Sequence, residues 1–190
     1  MEQSSLVWAV AAAVLLLSLG FVWYALDQRR RRGLREHFGP EYQRLVSQEG
    51  DPRRAERVLS QRESRVKKLD IRPLPESTRA NFLGRWQKVQ ERFVDDPRGA
   101  VRDADALIGE AMTGRGYPVG DFEQRAADVS VDHPDVVIDY RTAHAIAGRD
   151  ADASTEDLRR AMVHFRSLFE DLVLGPGGPT ERVEREETHR

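Results

Sequence analysis

The sequence predicts an all-α protein: one N-terminal transmembrane helix, then an antiparallel helical bundle, then a C-terminal tail predicted to be disordered. Three observations predict it. Residues 6–26 form an uninterrupted apolar run without a charge. Apolar residues beyond it recur at helical spacing, as in Phe82, Trp86, Val89 and Phe93. Pro and Gly punctuate those stretches, and no segment shows the alternating pattern of a half-buried strand.

The apolar run reads LVWAVAAAVLLLSLGFVWYAL, 21 residues in which Ser18 and Gly20 are the only non-apolar members. At 1.5 Å per residue, such a helix spans roughly 31 Å, matching a hydrocarbon layer of about 30 Å. Trp8 lies near one end and Trp23 and Tyr24 near the other, where amphipathic rings favour the headgroup level. No Lys or Arg precedes the run, whereas Arg29, Arg30, Arg31, Arg32 and Arg35 follow it. Positive charge stays cytoplasmic, so residues 1–5 are expected outside and the rest of the chain inside a bacterial inner membrane. A cleaved signal peptide would need a basic start and small residues at the cleavage site. This run has neither, so an uncleaved anchor is expected.

Residues 27–39 continue as a basic juxtamembrane helix that ends at Gly39-Pro40. The five arginines are candidates for contact with anionic headgroups of the inner leaflet, each gaining about 1 kcal/mol when close to the surface. The helical domain is expected over residues 40–174. Its first segment, 41–49, carries Tyr42, Leu45 and Val46 on one face. Asp51-Pro52 signals a helix start, a carboxylate cap followed by proline at the first helical position. The stripe that follows is Ala55, Val58, Leu59, Val66 and Leu69. Residues 70–75, with two prolines, form a connector.

Residues 76–94 hold the clearest pattern, with Leu83 and Val94 flanking the apolar face. Asp96-Pro97 restarts the chain, and the helix it opens stops at Gly114 and Gly116. After a Tyr117-Pro118 turn comes a short helix with Phe122, Ala126 and Val129. Pro134 is expected to begin the next helix, capped by Ser130 or Asp132, with Val136, Val137, Tyr140, Ala143, His144 and Ala147 inward. Ser154 and Asp157 have the spacing of a capping box before the last helix, which carries Leu158, Ala161, Met162, Phe165, Leu168, Phe169 and Leu172. Residues 175–190 are Gly/Pro-rich, then charged.

Composition narrows the chemistry. The 190 residues contain no cysteine, which removes disulfides, thiolate catalysis and iron–sulfur ligation. The net charge of −2 implies no bulk attraction to nucleic acid. Only three of the 30 basic residues are lysines, Lys67, Lys68 and Lys88. Charge is unevenly placed: residues 29–68 hold 13 bases and 6 acids, residues 95–171 hold 9 bases and 17 acids. The bases of 52–69 are therefore expected to pair with the acidic distal helices within the fold, with a second lipid-facing surface as the alternative.

No catalytic constellation or cofactor motif emerges. His144 and His164 sit on the last two long helices, with Asp139 and Glu170 as further donors, but neither HExxH nor Glu-x-x-His is present. Asp128, Ser130, Asp132 and His133 crowd into one run, yet triads assemble in space, and no Gly-x-Ser-x-Gly elbow occurs. The glycines of 175–179 lack the Gly-Lys-Ser/Thr of a P-loop. Arg85 beside Trp86 does not make a stacking platform, because the aromatics fall on the core face.

Several segments together carry a resemblance: Phe38-Gly39-Pro40-Glu41-Tyr42, the run from Arg92 to Pro97, Arg115-Gly116-Tyr117-Pro118-Val119, the run from Asp121 to Asp128, Ser130 to Pro134, and Tyr140-Arg141 with His144. The chain resembles a group of bacterial single-pass membrane proteins to which no activity, ligand or catalytic residue is assigned. The resemblance implies the topology and no site. The expected function is a membrane-tethered cytoplasmic adaptor or scaffold, engaging a protein partner or a second copy through residues 116–132. The alternative is a sensor that binds a small ligand between helices, with Tyr117, Phe122, His133 and His144 as contacts.

Overall fold

The computed structural model describes residues 2–149 and 153–175, with side chains from Leu15 onward except Leu16. Among the described residues there are seven helices and no strand: α1 (Glu2–Glu49), α2 (Pro52–Val66), α3 (Glu76–Arg92), α4 (Pro97–Arg115), α5 (Phe122–Asp132), α6 (Val137–Ala147) and α7 (Thr155–Leu174). The chain divides into two units, residues 1–37 and 38–190.

The first unit is one continuous stretch of α1. Among the described residues, no helix is long and apolar enough to cross a membrane. Much of the predicted span, residues 6–14 and Leu16, lies outside the residues whose side chains are described. The described remainder is exposed except for half-buried Ala25: Phe21 is 72 %, Val22 53 %, Trp23 71 % and Tyr24 60 % accessible. Ser18 Oγ donates back to the carbonyl of Leu15 at 2.8 Å, so its hydroxyl is satisfied within the helix. Arg31 pairs with Asp27 at 2.8 Å.

In the second unit, the expected break at Gly39-Pro40 is a kink. Gly39 leaves helical geometry at φ 42°, ψ −117°, and Pro40 cannot donate to the preceding turn. The predicted caps form. Asp51 accepts from the Arg53 amide at 3.0 Å and Asp96 from Gly99 at 2.9 Å. A further cap, not singled out in the sequence, is Asp121, which accepts from the Gln124 amide at 2.8 Å at the start of α5. Ser154 and Asp157 close both bonds of a capping box, at 3.1 Å each.

One boundary differs. Pro134 does not open a helix: α5 runs on to Asp132, a turn follows, and α6 begins at Val137 without a side-chain cap. Both predicted caps are otherwise engaged. Ser130 lies inside α5 and donates to the Ala127 carbonyl at 2.7 Å, while Asp132 accepts from the Tyr117 hydroxyl at 2.7 Å. Likewise Gly114 stays helical. α4 ends one turn-corner later at Gly116, in the left-handed region at φ 105°.

The core is built where α7 packs on α4 and α6 and where α3 packs on α4. Phe165, Leu168, Phe169, Ile108, Ala111, Val137 and Tyr140 are completely enclosed. Trp86 of α3 stacks on Phe169 of α7 with ring centroids 4.5 Å apart, and Tyr140 tilts against Phe165 at 6.1 Å. Leu83 and Val94, placed beside the apolar face of α3 by the sequence pattern, are instead 40 % and 82 % exposed. α3 is covered by α4 and α7 through Phe82, Trp86 and Val89, and Leu83 and Val94 fall outside that stripe.

Candidate functional site

Three polar groupings lie within the bundle. The first surrounds Glu41, whose side chain is fully enclosed. Arg44 grips it with two bonds of 2.8 Å, Arg62 donates at 2.8 Å, and Arg141 lies at 3.4 Å. Burial alone would push the Glu41 carboxyl up. The hydrogen bonds from Arg44 and Arg62 and the charge of Arg141 outweigh it, holding the group below the usual glutamate range. Arg62 also reaches Ser130 at 3.4 Å, and Arg65 pairs with the buried Asp128. Arg62 and Arg65 of the basic α2 therefore turn inward to carboxylates, whereas Arg53, Arg54, Arg57, Lys67 and Lys68 remain exposed.

The second grouping is the corner where α4, α5 and α7 end. His133 is buried, with Nδ1 on Asp171 and Nε2 3.4 Å from Arg115. Arg115 also donates to the Leu172 carbonyl at 3.2 Å. Tyr117 is buried beside it, bonded to Asp132. Burial, reinforced by the adjacent carboxylate, pushes the Tyr117 phenol well above its ordinary range. Ser130 is bonded elsewhere, so the Ser and His of the run 128–134 do not form a nucleophile–base pair.

The third grouping joins α5 and α6 to α4. Phe122 stacks on His144 with centroids 3.6 Å apart, and Tyr140 tilts against the same ring at 5.1 Å. His144 Nδ1 is 3.3 Å from Asp105, and the guanidinium of Arg141 lies 5.9 Å from the Phe122 ring. Burial followed by the Asp105 charge raises the Tyr140 phenol.

Of the predicted contact residues, Phe122 and His144 thus come together. Tyr117 and His133 also share a corner, but a different one. His144 and His164 each face an acid, Asp105 and, at 3.1 Å, Asp139. Among the described residues, no group of three or more histidines and carboxylates could hold a metal ion. Arg29, Arg30, Arg32 and Arg35 are exposed on α1.

An open groove of about 510 Å³ lies between α4 and the start of α5, lined by Gly109, Gly114, Val119, Gly120 and Arg125 among others. Val119 is 84 % exposed at its rim. Arg125 and Gly109 do not stand out in the sequence as site residues. The available signal was the glycine itself, since an isolated glycine inside a helical pattern usually has a packing reason. Glu41 does not stand out either, although it sits one turn before Leu45 on an otherwise apolar face.

Comparison with known protein families, curated proteins and solved structures returns no match.

Proposed function

We propose that the chain is a membrane-tethered helical module that presents its bundle to a protein partner at the cytoplasmic face. The supporting observation is the exposure of Phe21, Val22, Trp23 and Tyr24. Four consecutive helical residues, about 100° apart, point in every direction around the axis. A partner helix covers one stripe, whereas hydrocarbon covers all of them. The internal bond of Ser18 suits the same setting, where a free hydroxyl would be costly. Arg29, Arg30, Arg32 and Arg35 then meet anionic headgroups. Partner binding through 116–132 draws support from Val119, a large aliphatic side chain held out on the loop before α5.

The absence of cysteine makes the topology testable without background labelling. Ser4→Cys should react with a membrane-impermeant maleimide in intact cells. Gln87→Cys should react only after permeabilisation. Recovery of the chain in the soluble fraction, or the opposite labelling pattern, overturns the reading. Crosslinking in cells followed by purification in detergent then tests the partner. A specific partner whose yield falls with Val119→Asp supports it, and no enriched partner argues against it.

A further inference from the structure

We propose that the groove between α4 and the start of α5 binds a small organic carboxylate, its charged end on Arg125 and its hydrocarbon along the Gly109–Gly114 face of α4. The groove's volume, about 510 Å³, falls within the range of small-molecule sites. Its walls are chiefly apolar: Ala106, the glycines and the exposed Val119.

Arg125 sets the charge. Three other half-buried arginines near α5 and α6 are matched to acids, Arg62 and Arg141 to Glu41 and Arg65 to Asp128, while Arg115 is bonded to His133 and the Leu172 carbonyl. Arg125 shares a buried, unpartnered Nε with Arg65 and Arg141, but unlike them it forms no ion pair with a carboxylate among the described residues. Of two acids on α4, one is fully engaged and the other only in part. Glu110, itself part of the lining, holds Arg85 through bonds of 2.5 and 2.7 Å. Asp105 faces His144 through Oδ2 at 3.3 Å, while its Oδ1 is buried without a hydrogen-bond partner. A partly desolvated guanidinium of this kind favours an incoming anion, and its planar fork matches a carboxylate.

Gly109 is what seats it. A Cβ there would lie 2.6 Å from Arg125 Nη1, so the guanidinium rests against the α4 backbone only because residue 109 has no side chain. A glycine in mid-helix is unfavourable by propensity, and the close approach of the arginine accounts for it. A single guanidinium between apolar walls fits a monoanion with a hydrocarbon body better than a phosphate, which calls for more charge.

The test uses the full chain, ¹⁵N-labelled, in lipid nanodiscs, titrated separately with hexanoate, hexanamide and acetate. Hexanoate should shift the amide signals of Gly109, Gly114 and Gly120 saturably. Its affinity should exceed that of hexanamide and of acetate by roughly tenfold or more, the scale of a charge-assisted bond and of a buried short hydrocarbon. Arg125→Gln should abolish the preference for hexanoate over hexanamide. Gly109→Ala, which displaces the guanidinium without removing it, should weaken hexanoate alone and serves as the second variant if Arg125→Gln fails to fold. Equal binding of hexanamide, equal binding of acetate, or no saturable shift with hexanoate overturns the proposal. None of these outcomes bears on membrane topology.

Discussion

His133 is fixed between a carboxylate and a guanidinium: Nδ1 meets Asp171, and Nε2 meets Arg115 at 3.4 Å. Arginine has no acceptor, so Nε2 must accept and Nδ1 must carry the proton. This pairing calls for a proton on Nδ1, the tautomer that most histidines in water do not favour. Imidazole ¹⁵N shifts of His133 should show that tautomer at neutral pH. Asp171→Ala should remove it and destabilise the bundle by about 1–3 kcal/mol, the cost of an orphaned buried donor.

Glu41 should be an acid-sensitive joint of the bundle. Its carboxyl titrates lower in the fold than in the unfolded chain. The stability it contributes is thus fully present above the unfolded value, about pH 4.3, and is lost as pH falls through the lower folded value. Denaturant unfolding followed by circular dichroism should show this. At neutral pH Glu41→Gln should cost about 3–5 kcal/mol, because Arg62 loses its acid inside the bundle while Arg141 keeps only its pair with the exposed Glu123. The gap between wild type and variant should narrow as the wild-type carboxyl protonates.

Phe169→Ala should be among the most damaging core changes. The ring is fully enclosed and stacks on Trp86. Loss of the transfer energy plus the cavity left behind predicts about 3–5 kcal/mol. Trp86 should report the same change optically. With Trp8 and Trp23 replaced by Phe, emission of the remaining indole should shift to the red in the variant.

Gly116→Ala should cost about 1–3 kcal/mol. The residue sits at φ 105°, and an added Cβ would lie 2.3 Å from the Asp70 carbonyl oxygen. That spot is where the connector crosses the end of α4, with the Arg72 amide bonded to the Arg115 carbonyl at 2.8 Å. Chemical denaturation of the variant checks the magnitude. Exchange of the Arg72 amide should accelerate along with it.

Elements whose causes are local could be read from the residues directly. Asp51-Pro52, Asp96-Pro97 and the Ser154/Asp157 box carry their own capping partners within three residues, so the helix starts they mark are where they were expected. The apolar stripes of α4 and α7 followed from periodicity for the same reason. The start of α6 failed because its cap was decided from outside. Tyr117, 15 residues away, takes the Asp132 carboxylate that would have capped a helix at Pro134.

By itself, then, the sequence determined the all-helical class, the punctuation between helices and the apolar character of residues 6–26, since each depends on neighbours a turn or less away. Only the tertiary structure decided which charges are matched. Glu41 meets Arg62 across 21 positions and Arg141 across 100, while Arg125, no less charged in the sequence, meets no acid among the described residues. Pairing between distant side chains depends on how the helices stack, and the spacing of residues along one helix carries no record of that.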